Sequence, residues 1–294
     1  MPTALLVLIT AVWGSTFFLI RDLVATVPPT DFLAIRFTVA AVLMVLLFWR
    51  YVRRLGRREW AIGLALGVIY GLAQILQTIG LAHTDASVSG FITGTYVVLT
   101  PVFAALLLRE PVPGTTWVAV GLAAAGLAVL SLRGVSVGLG EALTLGCAAV
   151  YALHILGLGR FSKPSSATGL AAVQMVAIAL VCLMSAVPGG VTWPAGAGQW
   201  AAVLYMATAA GVLALWAQTW AQARMNASRA AIVMTLEPVF AAFFAVVFGQ
   251  ESVTARMVVG GLLVLAAMYL VELRAAARRR GEEPSVESLH HEVG

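Results

Sequence analysis

Two stretches of this chain repeat each other 141 positions apart, and this constrains the fold more than any single motif. Asp85 to Glu110 reads DASVSGFITGTYVVLTPVFAALLLRE, and Asn226 to Glu251 reads NASRAAIVMTLEPVFAAFFAVVFGQE. Both begin with an Ala-Ser step after one polar residue, carry Pro-Val-Phe-Ala-Ala and close on Glu. Gln77-Thr78 and Gln218-Thr219 stand at the same offset, and Glu59-Trp60 faces Gln199-Trp200 at 140. Any fold must accommodate two related halves.

Each repeated stretch is almost wholly apolar, and the chain as a whole follows suit. Its 294 residues are 61% hydrophobic and 11% charged, with mean hydropathy +0.96. A soluble domain carries about a quarter charged residues. The class is therefore an all-α polytopic membrane protein. A spanning helix takes about 20 apolar residues to cross about 30 Å. Ten such runs fit, at 4–25, 31–51, 59–82, 86–108, 114–132, 138–158, 167–187, 199–222, 228–249 and 254–273. Turn chemistry separates them, as in VPPTD, PVPG, SKPSS and VPGGVTWPAGAG.

Ten spans in two halves give five per half, and an odd number inverts the second half relative to the first. Inverted repeats are the architecture of alternating-access carriers, with the substrate site near midplane between them. The expected division is a first repeat over 1–135, an inverted second repeat over 136–274, and a cytoplasmic, disordered tail over 275–294. Orientation follows the positive-inside rule. With the N-terminus inside, fourteen basic residues fall on the cytoplasmic side, against Arg21, Arg133 and Arg256 outside. Both termini are thus expected in the cytoplasm of a multi-pass protein of the cell (inner) membrane. The arginine clusters at 50–58 and 274–280 read as contacts with an anionic leaflet rather than with nucleic acid.

Polar residues at midplane are costly, so they point to function. Trp13 and Tyr151 correspond at an offset of 138, and Tyr96 and Glu237 at 141, so the repeat places all four at one depth. Companions follow at helical spacing: Tyr70, Gln74 and Gln77 in span three; Ser89, Thr93 and Thr100 beside Tyr96; Cys147 and His154 beside Tyr151; Trp216 and Trp220 in span eight. Spans one, three, four, six, eight and nine are expected to surround a polar cavity, and spans two, five, seven and ten to be peripheral. The candidate substrate-binding residues are Trp13, Gln74, Gln77, Tyr96, Tyr151, His154, Trp216 and Glu237. Singly, a Ser, Thr or Gln here also reads as an interhelical hydrogen bond, and a Trp or Tyr as packing.

Glu237 either stays neutral, because burial disfavours its charged form, or pairs with a cation or with donors. Pro101 and Pro238 each remove a helical hydrogen bond, to the carbonyls of Val97 and Met234. They do not coincide under the repeat, so kinks at different depths are expected. Arg36, five residues into span two, reads as a structural residue that snorkels outward or meets a carboxylate. Glu110 and Glu251 read as surface residues with partners such as Arg109. Cys147 and Cys182 read as core.

Other chemistry is missing. Lys163 is the only lysine and lies in SKPSS, so there is no Walker A motif. No H-E-x-x-H or His/Cys cluster occurs, so neither an enzyme, nor a metal, nor a cofactor is expected. No basic residue is placed at midplane, which counts against a phosphate-bearing substrate such as a nucleotide sugar.

The segments AVWGSTFFLIRDL, DFLAIRF, TDASVSGFITGTYVVLTPVFAALLLREP and NASRAAIVMTLEPVFAAFFAVVFGQE resemble the drug/metabolite transporter superfamily in its ten-span form, built of two EamA-type repeats. The resemblance covers about 4–273. It implies inverted halves around a central cavity and export of small metabolites, and it is nearest the exporters of aromatic and other neutral amino acids. The small multidrug members carry a carboxylate in their first span. Here Trp13 stands at the middle of that span, where there is no acid. The expected function is export of amino acids by alternating access, with the lipid bilayer and a small-molecule substrate as partners and no obligate protein partner. Alternatives are export of another small metabolite or cationic drug, or a membrane enzyme or scaffold.

Overall fold

Apolar side chains on the outside and polar ones within mark the arrangement of this chain. The computed structural model describes residues 2–109, 114–133, 136–186, 190–224, 233–249 and 251–282. The opening of the ninth run (226–232), Glu110, and His290 and His291 of the tail lie outside the described residues. Leu46, Leu47, Leu106, Met184 and Leu262 are more than half exposed, whereas Thr10, Thr78, Ser89, Thr144, His154 and Gln174 are fully buried. That inversion suits a hydrocarbon surround.

Among the described residues, ten apolar helical segments fall on the ten runs. Seven are long and apolar enough to cross a membrane, and Gly114–Leu130, Glu237–Val247 and Ala255–Leu270 are shorter. The first three spans are α1 (Pro2–Val24), α2 (Pro29–Val52) and α3 (Arg57–Leu81). Span four divides into α4 (Ala86–Gly94) and α5 (Tyr96–Leu108), and α6 (Gly114–Ser131) is span five. Spans six and seven are α7 (Leu139–Phe161) and α8 (Ala167–Ala186). Span eight comprises α9 (Gly196–Ala207), a π-helical turn (Thr208–Leu213) and α10 (Ala214–Gln222). Spans nine and ten contain α11 (Glu237–Val247) and α12 (Ala255–Glu282). A two-residue antiparallel ladder between Leu132–Arg133 and Ser136–Val137 links the halves.

Helix starts follow local chemistry. Pro29 sits in the first turn of α2, where its missing N–H costs nothing. Glu59 accepts the Gly56 N–H at 2.8 Å at the start of α3. The final helix departs from expectation: it continues to Glu282, so residues 275–282 are helical rather than part of a disordered tail. Their Ala- and Arg-rich sequence favours helix strongly enough to continue it.

Packing pairs the halves span for span. α2 lies along α8, α6 along α12, and α4 against α11. Other neighbours come in matched sets: α3 with α7 and α1 with α10, then α5 with α7 and α1 with α11. Exchanging each span for its repeat counterpart maps these contacts onto themselves.

Small residues set the closest approaches, because packing replaces hydrophobic drive inside lipid. A Cβ on Gly67 would lie 2.6 Å from the Ala177 Cβ, and one on Gly90 would lie 2.5 Å from the Ala241 Cβ. This corrects the expectation for spans two and seven. They are not peripheral: Phe32, Leu33, Phe37 and Met44 of α2 and Leu170, Met175 and Ile178 of α8 are buried. The alanines and glycine of α8 let α2 and α3 close over it, which periodicity of polar residues alone does not register.

Candidate functional site

Span four and span nine each break at the same point of the repeat. Thr95 separates α4 from α5; its N–H and its hydroxyl donate to the Ile92 carbonyl at 3.1 and 2.6 Å. In span nine Leu236 donates to Val233 at 3.1 Å. The next helical bonds, Leu99 to Thr95 and Phe240 to Leu236, are both 3.0 Å. Every one of these backbone pairs is related by the offset of 141. The breaks thus coincide, contrary to the expectation from the prolines. Pro238 falls in the first turn of α11 and is free of cost there, while α5 runs through Pro101. The turns, not the prolines, set the geometry.

Each break delivers a polar residue to the first position of the helix that follows: Tyr96 in one half, Glu237 in the other. The Tyr96 hydroxyl donates to Glu237 Oε2 at 3.0 Å across the repeat. The Tyr96 ring lies edge-on to Tyr151, with centroids 6.4 Å apart. Tyr151 exchanges hydrogen bonds with the two glutamines of α3: Gln74 donates to its hydroxyl, and the hydroxyl lies 3.4 Å from Gln77 Oε1. Gln77 Nε2 reaches Thr93 Oγ1 at 3.3 Å.

These side chains enclose a cavity between the halves. It offers about 40 Å³ to water centres, room for roughly three waters. Of the residues expected there, Trp13, Gln74, Gln77, Tyr96, Tyr151, His154 and Glu237 line it. Trp13 also donates its indole N–H to the Ala210 carbonyl at 3.1 Å, tying α1 to the π turn. His154 meets Gln174 Oε1 at 2.8 Å, and the Gln174 amide N–H donates to Leu170. In that arrangement His154 donates from Nε2, and its Nδ1 is an acceptor without a partner among the described residues.

Trp216 is not brought to the cavity. Its indole stacks on Phe48 at 6.2 Å, and its N–H reaches Thr168 Oγ1 at 3.3 Å, so it packs against spans two and seven. Gln218 faces the cavity from span eight instead. A π turn carries one residue more than an α turn. It rotates α10 relative to α9, and a uniform helical period cannot anticipate that. The repeat did carry a signal, since Gln218 is the counterpart of Gln77.

Thr16, Phe17, Tyr70, Ile155, Met234 and Arg36 also line the cavity. Tyr70 shares the stripe of Gln74 and Gln77, and its ring packs edge-on to Tyr151 and His154 at 5.2 and 5.0 Å. Arg36 overturns its reading from sequence. It is 2% exposed and forms no ion pair with a carboxylate among the described residues. Its Nε donates to the Met206 carbonyl at 3.3 Å, and Phe37 and Phe32 lie 4.8 and 5.8 Å from the guanidinium carbon. Those rings close the route to the interface, so the side chain turns inward. The expectation of no basic residue at midplane falls with it.

A second polar cluster ties span ends together at one end of the molecule. Arg21 bridges Glu251 at 2.9 Å and Asp85 at 2.8 Å. Glu251 also accepts the N–H groups of Ala86 and Ser87 at 2.7 and 3.3 Å and the Ser87 hydroxyl at 2.5 Å. A carboxylate at a helix start meets both free donors and a favourable dipole. Glu251 is therefore an interhelical cap, with its side chain 10% exposed, and not the surface residue expected. A vestibule of about 620 Å³ lies beside it.

Ten packed apolar spans enclosing a polar cavity between matched halves define a multi-pass integral membrane transporter. The chain belongs to the EamA-like transporter family, whose profile matches residues 1–132 and again 138–273. The gap between the two matches falls on the ladder joining the halves. The chain is 31% identical over 270 residues to an uncharacterized transporter of Archaeoglobus fulgidus, covering 92% of this chain and 85% of that one. It is 27% identical over 290 residues to the uncharacterized transporter YvbV of Bacillus subtilis (strain 168), covering 94% and 92%. A solved crystal structure shares the fold with TM-score 0.67 at 19% identity, over 94% of this chain and 98% of that one.

Proposed function

We propose that this transporter exports amino acids, aromatic and other neutral ones, across the cell membrane by alternating access. The halves are read as inverted repeats with both termini in the cytoplasm, which puts the Arg21–Glu251 cluster on the outer side. The observation that carries the reading is the Tyr96–Glu237 bond spanning the two halves in the wall of an aromatic cavity. Tyrosine and tryptophan offer apolar faces with polar tips, which suits an apolar side chain attached to a polar backbone fragment. Glu237 is the partner for an ammonium group.

The cavity as it stands is far below the roughly 300 Å³ or more of a ligand pocket. Substrate therefore requires the halves to part, and the coincident breaks at Thr95 and Leu236 provide matched places for them to bend. The chain is read as a carrier and not an enzyme. Flux into reconstituted vesicles tests the reading. Protein-dependent movement of L-phenylalanine or L-leucine is expected. Movement of another metabolite or a cationic dye, with no amino acid moved, rejects the substrate; movement of nothing rejects the carrier.

A further inference from the structure

We infer that Arg36 is the anchor for an anionic group of the substrate, a carboxylate in the first instance. The inference deepens the proposed function and rests on its assignment of the central cavity as the substrate site. A guanidinium carries five N–H donors in a planar fork matched to a carboxylate. Among the described residues, Arg36 makes one hydrogen bond, from Nε to the Met206 carbonyl. Its Nη1 is buried without a partner. Two phenylalanine rings supply cation–π contact, which offsets only part of the cost of a desolvated charge.

The position of this donor matters as much as its lack of partners. Arg36 lines the same cavity as Glu237, and the two do not pair. The cavity is therefore bipolar, with a cation on the span-two wall and the carboxyl group of span nine on another, and the aromatic rings of Tyr70, Tyr96 and Tyr151 lining it as well. An ion pair confined to the protein would neutralise both groups and leave nothing for a ligand. Held apart, they match the two ends of a zwitterion. Gln74 Oε1, Gln218 Oε1 and His154 Nδ1, three further unpartnered atoms on cavity residues, are all acceptors. Among the described residues, Arg36 contributes a buried donor without a partner, and it is the one that carries a positive charge into this cavity lining, so the recognition of an anion falls to it.

Three probes sharing one aromatic body separate the ends: L-phenylalanine, 3-phenylpropanoate, which lacks the ammonium, and 2-phenylethylamine, which lacks the carboxylate. Binding is read on purified detergent-solubilised protein by tryptophan fluorescence, with thermal unfolding alongside. Arg36→Gln is expected to weaken L-phenylalanine and 3-phenylpropanoate by roughly 10- to 100-fold and to leave 2-phenylethylamine within twofold. Arg36→Lys is expected to recover part of the loss, as a point charge without the fork. Equal weakening of all three probes by both variants marks a structural residue and overturns the inference. So does wild-type protein that takes 2-phenylethylamine as well as L-phenylalanine, or that binds neither carboxylate. Binding of 3-phenylpropanoate with loss on Arg36→Gln, but no binding of L-phenylalanine, rejects the amino-acid reading and leaves the anion anchor standing. Should Arg36→Gln fail to fold, the same panel on Arg36→Lys decides, a selective loss of the two carboxylates supporting the anchor and a uniform loss removing it.

Discussion

The outer cluster around Glu251 and the central cavity around Glu237 are both polar, both bring span one together with spans four and nine, and differ in one respect. At the outer cluster, Glu251 meets an arginine, two backbone donors and a hydroxyl. In the cavity, Arg36, Gln74, His154 and Gln218 each keep a buried polar atom without a partner among the described residues. A satisfied network fixes a geometry; an unsatisfied one holds free energy that a ligand can recover. The contrast separates polarity that builds the molecule from polarity that serves it.

Four substitutions test that division. Glu237→Gln is expected to cut uptake of L-phenylalanine into vesicles by roughly 10- to 100-fold, with little change in thermal unfolding. Uptake equal to wild type would remove Glu237 as the partner of the substrate ammonium. Glu251→Ala should do the opposite, lowering stability by about 2 kcal/mol in detergent unfolding while affinity for L-phenylalanine stays within twofold. If affinity falls and stability does not, the assignment of roles is reversed. Tyr96→Phe removes one donor from Glu237 and leaves the ring. Uptake is expected to drop about fivefold, the equivalent of about 1 kcal/mol, and a drop as large as that of Glu237→Gln would show that the hydroxyl contacts substrate itself. Asp85→Asn is the smallest change, below about 0.5 kcal/mol. Its carboxylate is half exposed, and a larger loss of stability would mean that the Arg21 bridge depends on it.

The sequence made the spans legible, because lipid demands long apolar runs and those survive any detail of packing. The repeat was legible for the same reason that the breaks coincide: a shared backbone path leaves matching residues at a constant offset. Trp13, Gln74, Gln77, Tyr96, Tyr151, His154 and Glu237 could be chosen because polarity at midplane is costly. Trp216 could not be rejected, since the π turn that turns it away leaves no mark in hydropathy. Arg36 was misread for a physical reason. An arginine near a span end ordinarily snorkels, and only the placement of Phe32 and Phe37 shows why this one cannot. Pro101 and Pro238 pointed to different depths because a proline tolerated in a first turn looks, in sequence, the same as one inside a helix.

The narrowness of the cavity has an electrical consequence. Roughly three waters in file, at hydrogen-bond spacing, cover about 8 Å of about 30 Å of hydrocarbon. That is too short for an unbroken chain of waters to carry protons from one side to the other. A transporter closed this tightly around its central cavity gives protons no continuous path, and a cell can hold many copies of it without short-circuiting the gradient on which other transporters run.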